Sequence, residues 1–303
     1  MINPTHFDLQ TLRLFLLVAD QGSLTKAAER GHLTLSAVSK RVAELERATD
    51  CALFVRHPRG LTPTAAGAEL VRHARDVLLS VDRMAGHMSD YAIGVRGHIR
   101  IWANTSAVVQ FLPGDLAAFL DTHAGIRISL EERLSEAVID AVDRGEADLG
   151  IFADNVPAQG IEKYFYRQDR LVVLVPPDHP LAEHDEIDFD ATLDYDFVGL
   201  NQGSSLLRRM RDAALAAERV LKLRIQVASF DAICRMIEAR LGIGVLPQAA
   251  VRQELLGAGL RAIRLRDAWA RRTLWLGVKR ATGLLPEAYK LFEHLQHLPK
   301  DTP

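Results

Sequence analysis

Between Thr34 and Arg41 the chain sets short hydroxyls and cations on a segment of helical periodicity: Thr34, Ser36, Ser39, Lys40 and Arg41. Such groups at a helix start can approach a phosphate backbone and place polar atoms against base edges. Thr34 suits an N-cap, its hydroxyl accepting from an orphan N–H of the first turn. From Leu35, the apolar residues Val38, Val42 and Leu45 recur at helical spacing and mark a buried face. The same pattern fits an ordinary amphipathic surface helix, so the flanking elements decide.

A second chemistry lies further along. A strand over Ile99–Ala103 delivers Asn104, Thr105 and Ser106 to its end, and a strand over Phe197–Leu200 delivers Asn201, Gln202, Gly203, Ser204 and Ser205. Ligands of open α/β sheets settle at the carboxyl ends of strands, beside helix N-termini. Hydroxyls and N–H groups there can converge on an anion, so a small organic acid is the expected ligand. Phe152 and Ala153, ending another strand, and Phe230 and Asp231, after Ser229, are further pocket candidates. Plain N-capping accounts for any one of these hydroxyls equally well, and Asp231 could simply cap its own helix.

Catalytic and metal chemistry find no footing. There is no Gly-x-Ser-x-Gly elbow, no phosphate-binding Gly-x-x-x-x-Gly-Lys loop and no His-Glu-x-x-His. The 11 histidines are scattered, and His294 and His297, on one helix, read as solvated surface. Of the 2 cysteines, Cys234 shares a helical face with Phe230, Ile233, Ile237 and Leu241 and reads as a core thiol. Cys51 lies in the N-terminal part, so no redox pair is expected, and no metal or cofactor.

The elements that must position these groups follow from pattern. The 303 residues are 48% hydrophobic and 25% charged, a globular composition with material for more than one core. A net charge of -2 means that any nucleic-acid contact comes from a local patch. No N-terminal signal sequence and no membrane-length apolar run is visible, so a cytoplasmic location is expected, as is a reducing compartment. A first helix runs over Leu9–Asp20, with Leu9, Leu12, Phe15, Leu16 and Ala19 on one face, and Gly22 closes it. Ser23, Leu24 and Thr25 lead into a short helix whose Ala27 and Ala28 permit close packing, and Gly31-His32-Leu33 turns into the helix after Thr34. This is a helix-turn-helix arrangement. Two extended pieces, Leu53–Arg56 and Leu61–Pro63, flank His57-Pro58-Arg59-Gly60 and form a wing with Arg56 and Arg59 at its tip. A solvated turn is the other reading of those arginines.

A long helix over 64–88 carries Leu70, Ala74, Val77, Val81, Met84 and Met88 in alternating steps of four and three. That alternation is a coiled-coil seam, so dimerisation is expected there; packing on its own domain is the other outcome. Residues 91–96 form a hinge. Strands and helices then alternate in two sets, the signature of an α/β domain with a largely parallel sheet and a cleft between two lobes.

Together these residues resemble the LysR-type transcriptional regulators. The resemblance rests on Phe15–Ala19, Gly22–Ala28, Ser36–Val42, Leu45-Glu46, Leu53–Arg56, Leu61-Thr62, Thr64 and Gly67. Further along, it rests on Gly145–Ile151, Pro177–Leu181 and Gly242–Pro247. It implies an α+β multidomain chain. This comprises a winged helix-turn-helix at 1–62, a dimerising linker helix at 63–90, and an effector domain at 97–303 resembling periplasmic binding proteins. Lobe I would take 97–164 and 269–303, and lobe II 165–268. The implied partners are double-stranded promoter DNA, a small-molecule effector in the cleft, further copies of the chain as a dimer of dimers, and RNA polymerase for an activator.

The expected DNA contacts are Thr25, Thr34, Leu35, Ser36, Ser39, Lys40, Arg41, Arg56 and Arg59. In the family Gln usually stands at the position of Leu35, and Leu is common at that of Gly31. Leu offers a base only an apolar contact, for instance to a thymine methyl. The alternative from another class is a ligand-binding or transport-type protein without DNA function, and the N-terminal helices argue against it.

Overall fold

The structure, a computed structural model, describes residues 6–58, 60–92, 97–251, 253–257 and 259–298. The chain divides into two compact units, one up to residue 93 and one from residue 94. Of the expected hinge, residues 93–96 lie outside the described residues.

The N-terminal unit opens with α1 (Leu9–Gln21), α2 (Leu24–Arg30) and α3 (Leu35–Thr49). Each start is capped by a side chain: Asp8 accepts from the Thr11 N–H, Ser23 from Lys26 and Thr34 from Ala37. α1 stops at Gly22, whose φ of 58° is left-handed and costs glycine nothing. A hairpin follows, β1 (Phe54–His57) paired antiparallel with β2 (Gly60–Pro63), and then the long helix α4 (Ala65–Ala92).

Two readings of these helices need correction. Leu9, Leu12, Phe15, Leu16 and Ala19 are not the single buried face of α1: Leu9 is exposed, while Leu12, Leu14, Phe15 and Val18 are buried. The reason is that α1 is central. Leu14 and Val18 pack with Ala27, Ala28, Val38 and Val42; Phe15 packs with Leu45 and Leu53; Leu12 packs with Ala74 and Leu78. The seam on α4 is likewise divided. Leu70 and Ala74, expected at a dimer interface, pack with Leu78 against α1 of their own chain. Val77, Met84 and Met88 stay exposed, the methionines at 59% and 60%, and Val81 is half-buried. The steps of four from Leu70 to Leu78 follow the native helical period onto α1, whereas the residues beyond keep the heptad line.

The C-terminal unit runs β3 (Gly97–Ala103), α5 (Thr105–Gln110), α6 (Leu112–Thr122), β4 (Ile126–Glu132), α7 (Ser135–Asp143), β5 (Leu149–Ala153) and β6 (Glu162–Val175). It continues with β7 (Glu186–Ile187), β8 (Phe197–Leu200), α8 (Ser205–Ala216), β9 (Leu223–Val227), α9 (Phe230–Glu238) and β10 (Gly244–Pro247). The last elements are α10 (Gln253–Gly257), β11 (Arg261–Leu265), β12 (Arg271–Val278) and α11 (Pro286–His297).

The main sheet has the order β4-β3-β5-β12-β6-β11-β7, with β10 also on β6, and β8 pairs with β9 in a small parallel sheet. A largely parallel sheet is therefore only half right. β3, β4 and β5 are parallel, but β12 is antiparallel to both β5 and β6, and β10 and β11 are antiparallel to β6. The apolar run Leu171–Val175 is the end of the 14-residue β6.

β6 serves two cores. Tyr166 joins Ile99, Ile101, Phe119, Leu149, Leu274 and α11 residues such as Leu291 and Leu295, so α11 covers the first lobe. Leu171–Val175 join Phe197, Phe230, Ile237, Leu246 and Ile263 in the second. β6 is thus a crossing strand, and the two lobes meet along it.

Candidate DNA-binding and effector sites

On the N-terminal unit, α3 shows the face its sequence promises. Val38, Val42 and Leu45 are buried; Thr34, Leu35, Ser36 and Lys40 are exposed, and Ser39 is half-buried. Thr25 is exposed on α2 and Arg56 on β1; Arg59 lies outside the described residues.

Arg41 departs from expectation. Its Nη1 donates to Thr11 Oγ1 at 2.9 Å and its Nη2 to Gln10 Oε1 at 3.1 Å, with Asp8 3.7 Å away. The bonds from Thr11, and then the Arg41 charge, hold the Asp8 carboxyl below its ordinary value. Arg41 therefore braces α3 against the start of α1 and is withdrawn from the exposed face.

In the C-terminal unit, the ends of β3, β4 and β8 meet the start of α8 in a cleft between the lobes. Asn104, Thr105 and Ser106 face Ser204 and Ser205 across an inner recess completed by Arg133, Leu134, Ser135, Leu200 and Leu206. The recess holds about 30 Å³, room for a water or two. Outward, past Thr105, Glu132, Arg133, Asn201, Ser204 and Ala228, it widens to about 270 Å³. Gly203 stands at the rim with φ +87°, and a Cβ there would lie 2.7 Å from Leu134 Cδ1. The start of α8 is tied to the first lobe by Asn155 Nδ2 donating to the Ser205 carbonyl at 2.9 Å. Ion pairs Arg208–Glu136 and Arg209–Asp154 add to this. Burial pulls the Arg209 guanidinium below its ordinary value, against the neighbouring Asp154 carboxylate.

Hydrogen bonding presets what the recess can accept. Arg272 Nη2 donates to Ser106 Oγ at 2.9 Å. Ser135 Oγ accepts from the Ala153 N–H at 3.2 Å and from Asn104 Nδ2 at 3.4 Å. Both hydroxyls thus have oxygens occupied by donors and keep their protons to give. Thr105 is the converse, its proton committed to Glu132 Oε1 at 2.6 Å. Asn104 Oδ1 caps α5 through the Ala107 N–H, whereas Ser204 makes no side-chain cap bond on α8, whose first N–H groups stay available. Arg133 adds a cation at the mouth, lying over Trp102 and paired with Glu131 at 2.6 Å.

Four expected residues are not cleft residues. Phe152 is buried with Val138, Ile139 and Val156 under α7, and Ala153 lies in the first lobe's core. Alternation along β5 turns these side chains to the faces of the sheet, not past its end. Phe230 is in the second lobe's core, and Asp231 is exposed, 4.0 Å from Arg235 on its own helix. Ser229 takes the capping role on α9, accepting from the Ala232 N–H.

The unforeseen residues, Arg133, Leu134 and Ser135, follow β4 directly. The strand-end rule that selects Asn104 after β3 selects them too, since β4 is parallel to β3.

The model of the LysR substrate binding domain matches residues 92–299, and that of the bacterial regulatory helix-turn-helix protein, lysR family, matches residues 9–68. The chain belongs to the LysR family. As a LysR-type transcriptional regulator it carries a helix-turn-helix domain and an effector-binding domain. A RuBisCO operon transcriptional regulator of Allochromatium vinosum is 29% identical over 285 residues, 93% of each chain.

Among solved structures, full-length CbnR complexed with its target DNA is similar in fold, with TM-score 0.64 and 18% identity, over 95% of this chain and 99% of CbnR. The regulatory domain of CcmR from Synechocystis PCC6803, in complex with 2-PG, has TM-score 0.63 and 23% identity, over 69% of this chain and all 100% of that one. Among the described residues of this LysR-family chain, no cluster of metal-ligating side chains is present, and no helix is long and apolar enough to cross a membrane.

Proposed function

We propose that this regulator binds promoter DNA through the exposed start of α3 and the wing, and that a small organic anion in the inter-lobe cleft changes that engagement. One observation carries the ligand class: Ser106 and Ser135 hydroxyl protons and the uncapped start of α8 converge on one recess. Acceptor oxygens of a carboxylate or phosphate complement that set, and a CcmR domain holding 2-PG supports the class. Ser36, Ser39, Lys40 and Arg56 are the proposed DNA contacts, with Arg41 positioning α3. The proposed division is a DNA-binding domain at 1–62, a linker helix that continues to Ala92, and an effector domain at 97–303. A cytoplasmic location and, for an activator, contact with RNA polymerase complete the reading. The chain acts as a regulator and not as an enzyme.

The test titrates the full chain with 2-phosphoglycolate and other small carboxylates, each beside a neutral amide or ester, while thermal stability and salt-dependent DNA binding are followed. Anions should raise the melting temperature and shift DNA affinity. Ser106→Ala and Ser135→Ala should each weaken the anion about tenfold, the worth of one hydrogen bond to a charged group. Stabilisation only by neutral or cationic compounds would sink the ligand class, and absence of salt-dependent DNA binding would sink the regulator reading.

Val77, Val81, Met84 and Met88 form the remaining apolar line on α4, and we assign it to self-association. Met84→Glu combined with Met88→Glu should weaken the dimer roughly a hundredfold, as two buried methionines are lost. Sedimentation velocity reads this, and an unchanged distribution refutes the assignment.

A further inference from the structure

We propose that Leu35, with Leu33 beside it, reads the C5-methyl group of a pyrimidine in the major groove, so that α3 recognises thymine by an apolar contact. The proposal rests on the DNA-binding reading above and names what that surface selects. Leu33 is 37% exposed and Leu35, the first residue of α3, is 48% exposed. Neither joins the clusters that hold the N-terminal unit together, which are built on Val38, Val42 and Leu45 from this helix. Two large apolar side chains therefore stand in solvent at the end of the helix that helix-turn-helix proteins bring to base edges.

The polar groups around them are suited to backbone contacts more than to reading a base edge. Thr34 Oγ1 accepts from the Ala37 N–H at 3.3 Å and lies 3.1 Å from Ser36 Oγ, so these hydroxyls are bonded to the helix start and to each other. Bidentate reading of guanine or adenine needs Arg, Lys, Asn or Gln. Residues 33–41 contain no Asn or Gln, and the fork of Arg41 is bonded to Thr11 and Gln10 on α1. Lys40 stands outward, 3.9 Å from Glu44, a compact charge suited to phosphate. What the start of α3 offers a base edge is an apolar surface, and thymine is the base that presents a methyl there.

Uracil differs from thymine by that methyl alone, with the same hydrogen-bonding edge. Duplexes bound by the full chain are selected from random DNA, and each thymine of the enriched site is replaced by uracil. At one position in each half-site the replacement should weaken binding about fourfold, equivalent to ~0.8 kcal/mol for one buried methyl. Leu35→Gln and Leu35→Ala, both at an exposed position, should keep the helical circular dichroism of the parent and bind the two duplexes equally. Equal binding of thymine and uracil duplexes at every position, or discrimination that survives in both variants, overturns the proposal and leaves DNA binding standing. Absence of salt-dependent binding to any duplex overturns both.

Discussion

Arg272→Met is expected to destabilise the C-terminal unit by about 3–5 kcal/mol, because it strands a buried carboxylate. Arg272 is 1% exposed. Its Nε donates to Asp169 Oδ1 at 2.6 Å, its Nη2 pairs with the second oxygen, and the same Nη2 reaches Ser106. With the guanidinium gone, the bond left to Asp169 among the described residues is the 3.0 Å one from Gln110 Nε2, with the Arg209 charge near but not bonded to it. One neutral amide does not compensate a carboxylate held away from water. The urea midpoint of the C-terminal unit should fall accordingly, while Arg272→Met combined with Asp169→Leu should recover most of the loss, as an apolar pair needs no counter-charge. The double variant separates stability from recognition. Ser106 is then free to rotate its proton, and preference for an anion over its neutral amide should shrink even where the fold is restored. A single variant as stable as the parent refutes the structural part.

Gly67→Val is expected to disable the N-terminal unit. Gly67 lies in the first turn of α4, and a Cβ there would overlap the Leu53 carbonyl oxygen and crowd Pro63. Neither can retreat easily. The Thr64 N–H donates to the Leu53 carbonyl at 2.9 Å, and Thr64 Oγ1 donates to the Ala52 carbonyl at 2.7 Å. Overpacking costs roughly 1–3 kcal/mol where side chains can adjust, and more where the obstacle is backbone. Hydrogen exchange should rise across residues 9–63 and stay unchanged across 97–298, with DNA binding lost on mild warming. Exchange that is unaltered in the N-terminal peptides would show that α4 can move away at little cost.

What could be read from the chain divides along a physical line. Helix starts are local: Thr34 announces its cap because the bonded N–H group lies three residues on. The apolar face of α3 follows equally from its own spacing, and the strand ends carrying Asn104 and Ser204 follow from strand-then-helix order. Long-range partners leave no such trace. The polar run Arg167, Gln168, Asp169 and Arg170 does not read as a strand, yet it forms the crossing part of β6. It does so because Asp169 meets Arg272, 103 residues on, and Arg167 meets Asp115 at 3.0 Å, 52 residues back. Arg41 reads as a DNA contact until Asp8, Gln10 and Thr11 claim it. Leu70 and Ala74 match a seam until α1 covers them. Phe152 and Phe230 are placed by which face of the sheet they meet, which strand position alone does not specify.

The position of β12 has a consequence for the order in which the molecule is completed. β12 lies between β5 and β6 in the sheet, and α11 closes the first lobe's core. The first lobe begins at Gly97 but lacks an inner strand until Arg271–Val278 has been made. The second lobe draws nearly all its core from residues 171–270, and all of that stretch is present earlier. On a chain made from its N-terminus, the lobe that comes second in sequence is the first able to close. The lobe that starts first waits with the edge of β5 unpaired, so a chain released before Arg271 carries an open strand edge, a template for pairing with another copy.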